Sequence, residues 1–227
     1  FWSVACVPLA LFLITAALLA RLTNFRKNLK PRLVWGSPPL INNSYWSRAM
    51  EESGYKSETF TTDYYSTIHQ RSDWDLILSE KYGLLVRPLK PFLAFAQSLF
   101  KYDVFFLSYD GFFIGATPLR RMQDFLFKVA SKKVVLIPYG SDAYVYRRIR
   151  STPWAHALLV SYPGPSRGQD FIANSLDYWN KCADAVVPGM MGPDGFGRWD
   201  VLASSSLVLD LEKWSPSVRN STADGRS

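Results

Sequence analysis

Residues 133–138 read Lys-Val-Val-Leu-Ile-Pro, and this run constrains the fold more than any other. A strand shows alternate residues to opposite faces, so four apolar residues in a row need cover on both sides. Further segments of strand character are read at 32–36, 57–62, 104–107 and 184–187, with a weaker one at 75–79. Helix-like stretches separate several of them. Residues 43–53 place Tyr45, Trp46, Ala49 and Met50 at three- and four-residue spacing, closed by Gly54. Pro118 suits a first helical position for a helix running to about 131, and 170–182 reads as another. Two further short strands are expected at 201–203 and 207–209, and a long Pro-, Ser- and Gly-rich loop over 151–168. Strands apolar on both faces, alternating with helices, predict an α/β, Rossmann-like, doubly wound domain with a mostly parallel sheet.

A different pattern precedes this domain. Residues 1–20 carry no charge, and roughly 20 residues of helix reach across a hydrocarbon core about 30 Å thick. Arg21, Arg26, Lys27, Lys30 and Arg32 follow, with no acid among residues 21–32. The expected layout is a transmembrane anchor over 1–22, a basic juxtamembrane linker over 23–31, the domain over 32–216 and a polar tail or linker start over 217–227. The positive-inside rule puts the domain on the cytoplasmic side of a single-pass membrane protein. The basic flank can also hold acidic lipid headgroups. Two readings compete. A cleaved signal peptide would carry its basic residues before the apolar run, and a core helix would normally show a polar face.

The formal net charge is +7. Without the five flanking cations, 21 basic residues stand against 19 acidic ones. The excess therefore sits beside the apolar run, and no nucleic-acid partner is expected. Cys6 and Cys182 form no CxxC pair, which suits a reducing compartment. The sequons at Asn42 and Asn220 carry no meaning on a cytoplasmic face.

Ligands of open α/β sheets bind beyond the carboxyl ends of the strands. The segments that follow the strands are 36–44, 108–111, 138–144 and 188–189. Their chemistry is shared: small residues, hydroxyls, amides and a few carboxylates. Such a rim suits a polyhydroxylated ligand, with Tyr109, Tyr139 and Tyr144 available to stack on it. The candidate binding residues are Ser37, Asn42, Asn43, Asp110, Tyr139, Gly140, Ser141 and Asp142. The same residue types also build ordinary strand-to-helix turns, and Ser44 could simply cap its helix. Nucleotide-binding glycine signatures and a nucleophile elbow are missing from the sequence. His69 and His156 have no second His or Cys at ligand spacing, so no metal is expected. Arg120-Arg121 and Arg147-Arg148 could meet phosphate, although such pairs are more often solvated helix faces.

Four segments carry a resemblance. They are Pro39-Leu40-Ile41-Asn42-Asn43-Ser44-Tyr45-Trp46 with residues 49–54 and Glu58-Thr59-Phe60-Thr61; Ile137-Pro138-Tyr139-Gly140-Ser141-Asp142; Cys182-Ala183-Asp184-Ala185-Val186-Val187; and Leu209-Asp210-Leu211-Glu212-Lys213-Trp214-Ser215-Pro216. In order and spacing they resemble the N-terminal, acceptor-side domain of GT-B class, family-four-like retaining glycosyltransferases of bacterial polysaccharide assembly. The likeness covers about residues 32–216. It implies two Rossmann-like domains in a longer parent, with acceptor on the first and nucleotide sugar on the second. The parent is expected to be a hexosyl- or related transferase acting on a glycan or lipid-linked acceptor. The chain is expected to stop before the donor domain and its glutamate motif, to hold no cofactor, and to be inactive alone. The opening loop lacks the Gly-Gly pair of many members, which points to a different acceptor. A membrane-anchored binding or assembly module without chemistry is the other reading.

Overall fold

The computed structural model describes residues 2–23, 30–67, 70–188 and 194–201. Six strands, β1 (Arg32–Trp35), β2 (Lys56–Thr61), β3 (Leu76–Ile77), β4 (Val104–Leu107), β5 (Lys133–Leu136) and β6 (Ala185–Val186), form one sheet. Its order is β3-β2-β1-β4-β5-β6, and every neighbouring pair is parallel. Seven helices accompany it among the described residues: α1 (Trp2–Thr23), α2 (Ile41–Glu52), α3 (Leu78–Lys81), α4 (Lys90–Lys101), α5 (Gln123–Val129), α6 (Thr152–Ser161) and α7 (Gln169–Cys182). Of the strand expected at 201–203 only Val201 is described, and it is in no strand; the strand expected at 207–209, the segment 209–216, the polar tail and His69 lie outside the described residues.

The register explains the apolar runs. Val34, Phe105 and Val134 are partners across β1, β4 and β5 and share one face. Rings of α4 and α5 cover them: Phe127 lies 4.6 Å from Phe105 and 5.1 Å from Phe95, centroid to centroid. The next row, Trp35, Phe106, Val135 and Ala185, shows the opposite face. There Trp35 stacks on Phe106 at 3.8 Å, and Trp46 of α2 covers Trp35 at 5.6 Å. The Trp35 indole N–H donates to Ser57 Oγ at 2.9 Å, and Ser57 Oγ meets Ser47 Oγ of α2. Cover is therefore complete over one face. On the other it reaches β1 and β2, while Phe106, Val135 and Ala185 stay half-exposed.

Helix α1 is apolar all round and long enough to cross a membrane. It does not stand apart from the domain. Leu13, Ala16, Ala17 and Ala20 are buried, and the helix packs on α4 and α5. Alanines at this spacing let two helix backbones approach closely. Val7, Leu11, Leu18 and Leu22 lie on the outer side, exposed.

Two local expectations change. Residues 151–168 hold α6 and a short 3-10 turn rather than a loop. Pro153 sits in the first turn, where its missing N–H costs nothing, and Ser151 Oγ accepts the Trp154 N–H at 3.4 Å. Pro118 does not open a helix; a 3-10 turn, Arg120–Met122, leads into α5, and the Thr117 hydroxyl accepts the Leu119 N–H.

The strand starts are clamped at the end of the sheet opposite the loops. Asp103 accepts from the Arg32 backbone N–H at 2.9 Å, and from Arg32 Nε and Nη2 at 3.0 Å each. Lys132 Nζ lies 3.4 Å from the same carboxylate, with its side chain wholly buried. Burial lowers the Lys132 pKa, and Asp103 is the charge that opposes the shift. Asp103→Ala is expected to cost about 2–3 kcal/mol in urea unfolding, because an unpaired ammonium remains in the core. Adding Lys132→Met should recover part of the loss; a double variant no better than the single one would contradict this account.

Candidate functional site

The connections out of the sheet diverge between β1 and β4. From β1 the chain moves to β2, and from β4 it moves the other way, to β5 and β6. This is the topological switch point where open α/β sheets bind ligands. The carboxyl ends of β1, β4 and β5 meet there, and all eight candidate residues lie on the loops or the helix start that follow those ends.

The first loop is pinned close to the sheet. Gly36 N–H donates to Phe106 O at 3.2 Å, and Ser37 O accepts from Thr62 N and the Thr61 hydroxyl. The Gly36–Ser37 peptide is cis. Asn43 Nδ2 donates to Pro38 O at 3.2 Å, so this buried amide holds the loop. Helix α2 starts at Ile41, which places Asn42 and Asn43 in its first turn. Ser44 is therefore inside the helix, not its cap, and its buried Oγ has no hydrogen-bond partner among the described residues. Asn42 is half-exposed, and its side chain makes no hydrogen bond among the described residues.

The second and third loops are joined through Asp142. Its carboxylate is 5% exposed and accepts three backbone N–H groups. Oδ2 takes Tyr109 N at 3.0 Å; Oδ1 takes Tyr139 N at 3.1 Å and Gly140 N at 2.9 Å. One carboxylate thus bridges the ends of β4 and β5. Burial pushes its pKa up to about 7, while the three donors pull it down. Gly140 has φ +138, a conformation that favours glycine, and it begins the turn that returns the chain to Asp142. Ser141 lies half-exposed within that turn.

The exposed part of the rim is Asp110 with Tyr139. The Tyr139 hydroxyl donates to Asp110 Oδ2 at 2.7 Å, and the ring is 41% exposed. Burial and the Asp110 charge raise the Tyr139 pKa, so it stays a neutral donor. Tyr109 is not available for stacking. It is buried, its hydroxyl donates to Asn180 Oδ1 at 2.8 Å, and its ring lies near Phe196. Tyr144 is half-buried among Tyr146 and Trp154.

A small hollow links these loops. It is lined by Gly36, Pro38 and Asn43 from the first loop, by Ser108 after β4 and by Ile137 after β5. Ser108 Oγ is buried there without a partner among the described residues. The structure thus gathers Asn43 with Ser108, and Asp110, Tyr139, Gly140 and Asp142 with one another. What the rim offers a ligand is a hydroxyl–carboxylate pair, an unsatisfied serine, a free amide and an exposed aromatic face. Two side chains that sequence reasoning passed over complete the surroundings, Asn174 and Ser175 of α7; a lone polar pair inside a helix pattern gives no signal. Among the described residues no group of His, Cys, Asp and Glu is placed to hold a metal ion. Comparison with protein-family models, with curated proteins and with solved structures gave no match.

Proposed function

We propose that this chain is the acceptor-side domain of a membrane-associated glycosyltransferase. The longer parent would transfer a sugar from a nucleotide sugar to a glycan or lipid-linked acceptor. The observation that supports this most is the meeting of three loops at the switch point. Their exposed chemistry is the Tyr139–Asp110 pair, with Asn42 holding unspent hydrogen-bonding capacity beside it. Polyols are recognised by such mixed donors and acceptors beside an aromatic face. The apolar α1 fits an enzyme whose acceptor lies at a membrane, and the basic residues after it favour a cytoplasmic domain.

One observation favours the non-catalytic reading. Both oxygens of Asp142 are filled by backbone donors, and Asp110 is engaged by Tyr139. The rim thus binds and shapes; chemistry would come from a second domain.

The test is made on the full-length protein that the gene encodes, purified in detergent. It is incubated with radiolabelled nucleotide sugars and lipid extracts. Sugar incorporation is expected, and Tyr139→Ala should lower kcat/KM by roughly tenfold or more with an unchanged melting temperature. No incorporation with any donor, or a Tyr139→Ala enzyme of full activity, would sink the proposal.

A further inference from the structure

Beside the rim, a second, shallow cleft opens between the turn Arg120–Met122 and α7. Asp110, Arg120, Arg121, Asn174, Ser175 and Tyr178 line it. Its two cations are unspent. Among the described residues neither Arg120 nor Arg121 forms an ion pair or a side-chain hydrogen bond. The arginines at 147, 148 and 198 behave differently: they pair with Asp170, Asp177 and Asp200. Asn174 and Ser175 also have no side-chain partner among the described residues.

The backbone under the arginines is fixed. Gln123 Nε2 donates to Arg120 O at 3.1 Å. The Tyr178 hydroxyl donates to Arg121 O and accepts the Asp124 N–H, both at 3.0 Å. The Arg120 guanidinium lies over the Phe171 ring, 4.4 Å from its centroid. Stacking limits the freedom that a long cation would lose on binding. One stacked guanidinium, a second on a fixed backbone, an amide and a hydroxyl thus line one cleft, and Asp110 joins it to the rim.

We propose that this cleft binds the phosphate group of a polyhydroxylated ligand, with Arg120 and Arg121 as its anion ligands. Guanidinium forks match phosphate oxygens in pairs, and two of them balance a group of charge near −2. Asn174, Ser175 and Asp110 then meet hydroxyls of the same molecule. That this molecule is the transferase acceptor rests on the function proposed above; the anion site does not.

The phosphate can belong to a soluble sugar phosphate or to a lipid headgroup. The whole chain in detergent is titrated calorimetrically with glucose 1-phosphate and with glucose, at constant ionic strength. Vesicles with and without phosphatidylinositol form a second arm. Binding of either phosphate compound, but not of glucose or plain vesicles, is expected. The arm that responds identifies the source. Arg120→Gln and Arg121→Gln should each weaken it roughly tenfold, or about 1.4 kcal/mol, while Arg167→Gln leaves it unchanged. Arg120→Lys keeps the charge, loses the fork and should fall between. The proposal is overturned if neither phosphate compound binds the folded chain, or if both glutamine variants bind as tightly as the unsubstituted chain. Phosphate binding without sugar transfer by the longer protein keeps this site and rejects the transferase. Transfer with arginine-independent affinity does the reverse.

Discussion

Asp142→Ala is expected to lose about 3–5 kcal/mol of unfolding free energy, a large share of the 5–15 kcal/mol of a typical domain. The reason is the number of donors left behind. The N–H groups of Tyr109, Tyr139 and Gly140 all point at this one carboxylate. Removing it strands three backbone donors in a buried junction. Asp142→Asn keeps one acceptor oxygen but turns an amine toward a donor, so about 1–3 kcal/mol is expected. Urea unfolding measures both. The pH dependence separates the charge from the shape. Burial raises the folded pKa to about 7 from 3.8. Between those values the folded chain binds more protons than the unfolded one. This group's contribution is therefore full below about pH 4 and is lost as pH rises to about 7. The slope is at most roughly 1.4 kcal/mol per pH unit, since the two states differ by a single proton. Asp142→Asn should lack that component. An identical pH profile in the variant would show that Asp142 does not titrate in this range.

Gly36→Ala is expected to cost about 3 kcal/mol or more and to disturb the switch point itself. A Cβ at this position would lie 2.2 Å from the Phe60 carbonyl oxygen and 3.1 Å from its carbon. Both are backbone atoms of β2, so no side chain can turn aside. Relief has to come from parting β1 and β2, which strains the bonds from Thr61 and Thr62 to Ser37 O. Gly164→Ala is the control: nothing lies within 4 Å of its Cβ position, and a change within about 0.5 kcal/mol is expected. Thermal melts and hydrogen exchange at Thr61 and Thr62 measure both effects. A Gly36→Ala chain as stable as the Gly164 variant would show that the two strands are not as close as described.

Much of the sheet was legible, and for a specific reason. The rows Val34–Phe105–Val134 and Trp35–Phe106–Val135 are apolar on both faces, so β1, β4 and β5 announce themselves within a residue or so. Strand β3 is two residues long and turns directly into α3, too short for a pattern to fix. Helix α6 was hidden because Pro and Ser are both loop formers and helix starters, and position alone decides which. Helix α4 went unread, although Phe92, Phe95, Ala96 and Leu99 mark its buried side. The loops carrying the candidate site were found from strand ends alone. Their roles were not. That Asp142 spends its carboxylate on Tyr109, 33 positions upstream, is a fact of tertiary folding that no local pattern records. The same holds for Tyr109, an aromatic in a polar loop whose ring turns inward.

The seat of α1 on α4 and α5 sets a mechanical limit. A helix of 22 residues is about 33 Å long, and its inner side is packed along helices that lie directly on the sheet. A tether would let the domain swing and tilt freely. A docked helix works as a keel instead. Whatever surface receives Val7, Leu11, Leu18 and Leu22 also fixes the pitch and height of the strand ends. Any ligand of the loops at the switch point would then be met from one direction, at one distance, without search by rotation.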